Sequence, residues 1–356
     1  MKLSLILIAI LVISAYSVQV IEEDNQQYYK HLESIAKKIN QNSSKYNWVA
    51  NEDLSEYQDL TKESAIRRNG GKSFQDSQVP EFLMPKFAAP LPAADNIPES
   101  FDAREQWSKC SSLKEIRNQG SCGSCWSFGG AEAFTDRWCI ATGQKDTDVR
   151  LSTENLVSCC DFCGNGCAGG YNPMVWNYFQ ESGIVTGNNY GDNDYCQSYS
   201  IPPSSHGVNG DKLIGADYRT PKCRYQCDST YKGDSYGENL YFTKSTGLII
   251  NKDLKQIQTE IMTNGPVEVL FYVYEDFYAY KSGVYKHVTG DELGGHAVKM
   301  LGWGVENGEP YWLCANSWGT GFGENGFFKI LRGENECGIE HEITYGTPDI
   351  TRNRSN

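Results

Sequence analysis

Cys125 stands where a glycine-rich run, Gln119-Gly120-Ser121-Cys122-Gly123-Ser124, enters an apolar stretch beginning at Trp126. A helix N-terminus carries unpaired amides and partial positive charge, which favour thiolate over thiol. A thiolate is a strong nucleophile, and it needs an imidazole to hold the ion pair and to protonate the leaving group. The chain has five histidines, His31, His206, His287, His296 and His341. His31 lies in a cysteine-free N-terminal segment, and His296 alone begins a β-rich run directly after Gly294-Gly295. Asn316, closing the next β-rich run, would accept the second imidazole N–H, with Trp318 shielding that bond from water. The Gln119 side-chain amide and the Cys125 backbone N–H would together hold a developing oxyanion. The chemistry implied is acyl transfer through a covalent cysteine intermediate. Two other readings exist. Cys122 and Cys125 have the spacing of a redox pair, although no strand precedes them as a thioredoxin-like motif requires. Cys159, Cys160, Cys163 and Cys167 could ligate zinc, although an oxidising compartment favours disulfides.

The elements that must position these residues follow from periodicity. Gly123 to Ile140, with Trp126, Phe128, Ala131, Phe134 and Trp138, reads as a buried helix. Ser152 is an N-cap candidate for a second helix from Thr153. Asn172-Pro173, Met174 to Gln180 and Gly183 supply the cap, first-turn proline and terminal glycine of a third. Val185 to Thr246 has little period and reads as loop held by its three cysteines. Lys252 to Asn264 is helical, stopped by Gly265-Pro266. Val267, Val269, Phe271 and Val273 then alternate as in a strand, followed by β-rich runs at His296–Leu301, Tyr311–Asn316 and Gly326–Leu331. Helices first and strands later predict an α+β protein with a helical lobe, a β lobe and a cleft between them.

Composition sets the setting. The chain has 356 residues, 39% hydrophobic and 22% charged, which excludes wholesale disorder. Its length calls for two lobes or a core with removable segments. A net charge of −13 without a basic run argues against nucleic acid. Thirteen cysteines indicate an oxidising compartment, and the odd total leaves at least one thiol unpaired. Lys2, the apolar run Leu3–Ile13 and Ala15-Tyr16-Ser17 read as a secretory signal over 1–17, too short for a membrane span. Residues 18–96 hold no cysteine; Tyr28–Ile39 has helical spacing (Leu32, Ile35, Ala36, Ile39), and polar and Pro-rich stretches follow. This pattern reads as a pro-segment, with a small independent domain or linker as the alternative. Asn42 and Asn353 open glycosylation acceptor triplets.

Four separated blocks carry a family resemblance: Asn118 to Trp126, Cys167-Ala168-Gly169-Gly170, Gly294-Gly295-His296-Ala297 and Asn316-Ser317-Trp318-Gly319. Over residues 97 to 345 the chain resembles the papain-like cysteine proteases, whose Cys-Gly-Ser-Cys-Trp signature it carries. Within them it is similar to the cathepsin B type, through Phe101 to Trp107, Trp303 to Gly308 and Cys337 to Glu340. The Cys125-to-His296 interval exceeds the roughly 130–150 residues usual in the family, and the excess falls near Ile201–Pro221, where cathepsin B has its occluding loop.

The resemblance implies a two-lobe papain-like fold with a helical left lobe over 97–250, including a loop insertion at about 196–227, and a β-barrel-like right lobe over 251–356. It implies Cys125, His296, Asn316 and Gln119 as the catalytic set, and Gly169, Gly170, Ala297, Trp318, Glu342 and His206 as substrate contacts. The implied disulfides are Cys110–Cys139, Cys122–Cys167, Cys159–Cys223, Cys160–Cys163 and Cys196–Cys227. Cys125, Cys314 and Cys337 remain. No metal or cofactor is implied. Its partners would be polypeptide substrates, cystatin-like inhibitors and residues 18–96 as an intramolecular inhibitor, in a monomer of the lysosome, phagosome or extracellular space. Acidification would loosen carboxylate contacts of that segment, for example at Asp53, Glu56 or Asp59. A catalytically silent binding protein is the alternative function.

Two departures bear on specificity. Glu342 matches the acid at the floor of the pocket for the second residue before the scissile bond, implying acceptance of Arg as well as Phe, while His341 beside it replaces a small residue. In the loop, His206 matches the first of two carboxylate-binding histidines, but Gly207 replaces the second and Ser204 a disulfide cysteine. Asn118 and Gly321 replace the carboxylates expected to face His206 and Lys212. A missing disulfide removes ~2–4 kcal/mol of constraint, so the expectation is an endopeptidase with weak dipeptide removal. Packing by Tyr199, Ile201 and Tyr218 is the alternative means of holding the loop.

Overall fold

The computed structural model describes residues 26–58, 60–75, 84–203, 219–250 and 252–352. The stretch 1–17, Asp59, Ser204, His206, Gly207, Lys212, Tyr218 and Asn353 lie outside them.

The N-terminal segment folds on the body. Helix α1 (26–40) turns Leu32, Ile35, Ala36 and Ile39 inward, as its 3.6-residue spacing dictates. It is followed by α2 (Ser43–Tyr46), β1 (Trp48–Ala50), α3 (Lys62–Arg68), β2 (Gly71–Lys72) and β3 (Phe87–Ala88). Asn42 is an exposed residue at the start of α2. A capping box starts α3: Thr61 accepts the Ser64 N–H, and the Ser64 hydroxyl takes the Thr61 N–H.

The body continues with β4 (Phe101–Asp102), α4 (Ala103–Gln106), α5 (Cys125–Ala141), α6 (Thr153–Cys159), β5 (Gly170–Tyr171), α7 (Asn172–Glu181), β6 (Thr243–Ile249) and α8 (Leu254–Asn264). Then come β7 (Val267–Tyr274), β8 (Tyr280–Tyr285), β9 (Glu292–Glu306), β10 (Glu309–Ala315), β11 (Phe327–Leu331) and β12 (Ile343–Pro348). Helices α5, α6 and α7 share one core with Phe128, Phe134, Leu156 and Trp176. The strands, in the order β1-β8-β11-β10-β9-β7-β12-β6-β3, enclose a second core with Phe271, Met300, Trp312 and Ile343. Leu32, Trp48 and Leu54 belong to that second core. The N-terminal segment is thus docked on the β lobe.

Local rules account for most boundaries. The Ser152 hydroxyl accepts the Asn155 N–H to cap α6, and Asp253 caps α8 through Gln256 N. One expectation needs correction. Tyr171, not Asn172, is the N-cap of α7, and Asn172 is already helical because β5 runs directly into the helix. Strand β7 is buried along both faces through Phe271, being covered by α5 on one side and the strand core on the other. From the stretch before residue 251, β6 pairs with β12 and β4 pairs with β9, so both join the sheet of the β lobe.

The irregular stretch between α7 and β6 is closed by Cys196–Cys227 and tied to α6 by Cys159–Cys223. Gln197 adds donations to the Arg224 and Gln226 carbonyls at 2.7 and 2.8 Å. Cys110–Cys139, Cys122–Cys167 and Cys160–Cys163 are the other disulfides. Cys125, Cys314 and Cys337 are free thiols. Cys122 is therefore no redox partner for Cys125, and all four cysteines from 159 to 167 are consumed in disulfides.

The two lobes meet along a buried ionic seam. Lys299 of β9 lies 2.8 Å from Asp136 and 3.7 Å from Glu132, both on α5. Farther along α5, Arg137 donates to Glu260 of α8 at 2.6 Å and to the Gly346 carbonyl of β12 at 2.7 Å. Burial pushes the Glu132 carboxyl up to about 7, against the pull of Lys299 and Arg117. The folded chain therefore holds this proton more tightly than the unfolded one. Stability from Glu132 is full below its ordinary value of 4.5 and falls by up to about 3 kcal/mol as pH rises to 7. Urea unfolding of Glu132→Gln should show a flatter pH dependence between 5 and 7 than the parent chain; identical profiles would refute this.

Candidate active site

Cys125 is the first residue of α5, placed by the turn that Cys122–Cys167 pins down. Its side chain is buried, and the backbone amides of Ala297, Gly70 and Trp126 point at the sulfur. His296 comes from β9 in the other lobe and is equally buried. Its Nε2 lies 2.8 Å from Asn316 Oδ1, which also accepts the Ser317 N–H at 2.8 Å. An oxygen with that second donor must accept from the ring as well, so Nε2 carries the hydrogen. Nδ1 is then the basic nitrogen, and it is buried without a hydrogen-bond partner. The ring is wedged between Phe271, edge-on at 5.8 Å, and Trp318 at 4.9 Å.

Gln119 is fully buried, and its Nε2 donates to the Cys122 carbonyl at 2.8 Å and the Arg68 carbonyl at 3.0 Å. Its Oε1 accepts from the Ser317 hydroxyl at 2.7 Å, which fixes the amide with its donors toward the cleft. The Arg68 oxygen thus stands in for a substrate carbonyl. Gly71 of β2 pairs with Gly170 and with Gly295, and the Gly170 N–H donates to Gly70 O at 2.9 Å. Beyond it the Phe74 N–H donates to Glu342 Oε2 at 2.9 Å. Gly169, with φ +101, abuts the Gly70 carbonyl, and Ala297 is buried beside Gly71.

This threading explains why the segment can fill the cleft without being a substrate. The atom facing the sulfur is the Gly70 nitrogen, while the carbonyl on Gln119 belongs to Arg68. The N–H on the sulfur and the carbonyl on Gln119 therefore belong to two different peptide groups.

Electrostatics follow from the same burial. The Cys125 thiol is pushed up to about 11 by desolvation, and the His296 imidazole is pulled down to about 4, chiefly by desolvation with the Arg68 charge adding to it. The expectation of a helix-stabilised thiolate is therefore not met with the cleft filled: both groups are neutral, because water that would solvate the ion pair is excluded.

Several neighbours had no signal in the sequence. The Ser317 hydroxyl orients Gln119, and the Tyr199 hydroxyl donates to the Gln119 carbonyl at 3.0 Å while meeting the Ser124 hydroxyl at 2.8 Å. Glu268 accepts from Trp176 Nε1 at 2.9 Å, and burial with the nearby Glu342 charge holds its carboxyl well above the usual range. The ionic contacts of the segment also differ from those anticipated. Asp53 only accepts locally from Ser55 N, whereas His31 and Lys62 reach Glu275 of the body at 3.0 and 3.6 Å, and Lys62 also pairs with Asp291. The carboxylates of these contacts thus lie on the body and the nitrogen partners on the segment.

A thiol, an oriented imidazole and a preset oxyanion donor in a cleft between a helical and a β lobe define a cysteine protease. The description "Papain family cysteine protease" matches residues 97–347, and the chain belongs to that family. It is similar to "Cathepsin B-like cysteine proteinase 5" of Caenorhabditis elegans, 50% identical over 266 residues that cover 73% of this chain and 77% of that protein. Among solved structures, proCathepsin B S9 from Trypanosoma congolense is 35% identical with TM-score 0.74, covering 89% of this chain and 98% of that one. Procathepsin L 3 of the Tenebrio molitor larval midgut shares the fold at 23% identity and TM-score 0.66, covering 93% of each chain.

Alkylation of Cys125 in the uncleaved chain should stay slow through neutral pH and accelerate only toward the alkaline limit. Once residues 18–96 are removed, iodoacetamide should label Cys125 rapidly below pH 7. Rapid acidic labelling of the uncleaved chain would contradict the buried neutral pair.

Proposed function

We propose that residues 18–96 form an inhibitory pro-segment and that the released enzyme hydrolyses polypeptides through Cys125. The observation that carries this reading is the Gln119 amide bonded to the Arg68 carbonyl while the Gly70 N–H faces the sulfur. With the segment gone, water restores the solvation that favours the Cys125–His296 ion pair. The thiolate attacks the scissile carbonyl carbon, and the oxyanion is received by Gln119 Nε2 and the Cys125 N–H. His296 Nδ1 then gives its proton to the departing amine, leaving a thioester. A water, deprotonated by the same nitrogen, hydrolyses the thioester. Asn316 keeps the ring in register throughout, shielded by Trp318. Gly169 and Gly170 hold substrate backbone as they hold Gly70. The five disulfides support an oxidising setting along the secretory route, in a lysosome, phagosome or outside the cell.

Glu342 is the selector for the second residue before the bond. Its buried carboxylate already accepts one N–H, from Phe74, and a guanidinium is the stronger partner. For the loop, the residue inventory supports endopeptidase action. One histidine, His206, is available for a terminal carboxylate, no cysteine stands at 204, and Asn118 turns its Oδ1 onto Gly120 N at 2.9 Å.

Glu342→Ala should lower kcat/KM on Arg-Arg substrates at least about tenfold, consistent with ~1.5–3 kcal/mol for a charged hydrogen bond, and spare Phe-Arg substrates; equal losses refute the role. A peptide and its C-terminal amide should be cleaved at similar rates. A strong preference for the free acid that vanishes in His206→Ala would establish dipeptide removal instead.

A further inference from the structure

Arg68 reports on a part of the cleft that the proposed catalytic set does not use. Its side chain is nearly fully buried, with the guanidinium 5.1 Å over the Trp318 ring. Trp318 is stacked on Tyr278 at 4.7 Å and 24°, and the Tyr278 hydroxyl is within hydrogen-bonding reach of the guanidinium. Both rings belong to the body: Trp318 follows Ser317, and Tyr278 lies in the short turn Glu275–Ala279 between β7 and β8. When the segment leaves, the rings stay and the cation goes.

The position of this slot along a substrate follows from the threading. Residues 71–74 of the segment run past Gly170 and Glu342, the side assigned to residues before the scissile bond. Gly70 faces Cys125, so Arg68 lies on the opposite, leaving-group side. Trp318 also lies against His296, tilted at 4.9 Å, the group that protonates the leaving amine. A side chain resting on Trp318 and Tyr278 therefore belongs to the first residue after the cut. A planar cation over an aromatic face is attracted by the ring quadrupole, more strongly where water is excluded, and the phenol oxygen adds an acceptor.

We infer that the mature enzyme binds an arginine or lysine side chain of its substrate on Trp318 and Tyr278, at the first residue on the leaving-group side. Together with Glu342 this selects polypeptides with basic residues flanking the cut. The inference rests on the reading of Cys125 as the nucleophile.

The test uses the processed enzyme and internally quenched peptides that share Phe-Arg before the bond and carry Arg, citrulline or Leu directly after it. Citrulline keeps the shape of arginine without its charge. The Arg peptide should exceed the citrulline peptide in kcat/KM by about fivefold or more, and Tyr278→Leu, which leaves the Trp318 ring in place, should lower that ratio by at least about twofold. Tyr278→Phe, which keeps the ring, should retain most of the preference. Equal turnover of Arg and citrulline by the parent enzyme, with the Leu peptide still cleaved, overturns this inference and leaves the nucleophile assignment standing. A preference that persists unchanged in Tyr278→Leu overturns the slot. Failure to cleave any of the three overturns both.

Discussion

Cys125 opens a helix of one lobe and His296 stands on a strand of the other, so everything in the cleft depends on how the two lobes are fixed to each other. The seam is ionic where an apolar one would slide. Lys299, three residues after His296 on the same strand, is gripped by Asp136 and Glu132 of the helix that Cys125 begins. Arg137 ties that helix to α8 and β12 by directed bonds. Buried pairs of this kind add little net stability but penalise any misregistration, because a displaced charge would be stranded without water. The same burial encloses α5 from Cys125 to Cys139, its charged residues Glu132, Asp136 and Arg137 included.

The cleft itself is lined by backbone. A Cβ on Gly70 would fall 1.9 Å from the Gly123 carbonyl, and one on Gly295 would fall 2.4 Å from Gly71 O. Two chains pass here at a separation that only glycine permits. The N-terminal segment between the walls is held through its peptide groups, at Gly170, Gln119 and Glu342, and by the Arg68 side chain over Trp318.

Inhibition and chemistry are also coupled through solvation. Filling the cleft removes water from Cys125 and His296 and leaves both neutral, so the segment suppresses the ion pair as well as blocking access. Its anchoring is partly ionic: His31 and Lys62 sit against Glu275 and Asp291. The Lys62 contact holds the Asp291 carboxylate below its ordinary range. A carboxylate so depressed contributes to docking above its unfolded value, and the contribution is lost as pH falls through the folded one. Acidification therefore weakens the Lys62–Asp291 contact between segment and body.

The sequence alone pointed to the α+β class and to the helices at 125, 153 and 254, with Ser152 as a cap and Gly265 as a stop, because these rules act over a few residues; it put forward Cys125, His296, Asn316 and Gln119 as a set through separated motif blocks. It was silent on which nitrogen of His296 is free, on Ser317 and Tyr199 as the brace behind Gln119, and on β4 and β6 joining a sheet far away in the chain. It could not say which contacts of the segment are ionic, since an exposed carboxylate such as Asp53, which accepts from Ser55 N, looks the same whether or not it meets a distant partner. Asn69-Gly70-Gly71 lay among the polar stretches that follow the first helix; only packing against Gly170, together with Arg68 against Gln119 and Trp318, makes this part of the chain the filling of the cleft. These features depend on pairs of residues tens to hundreds of positions apart. Their distance, burial and charge state exist only once the lobes have closed and water has left.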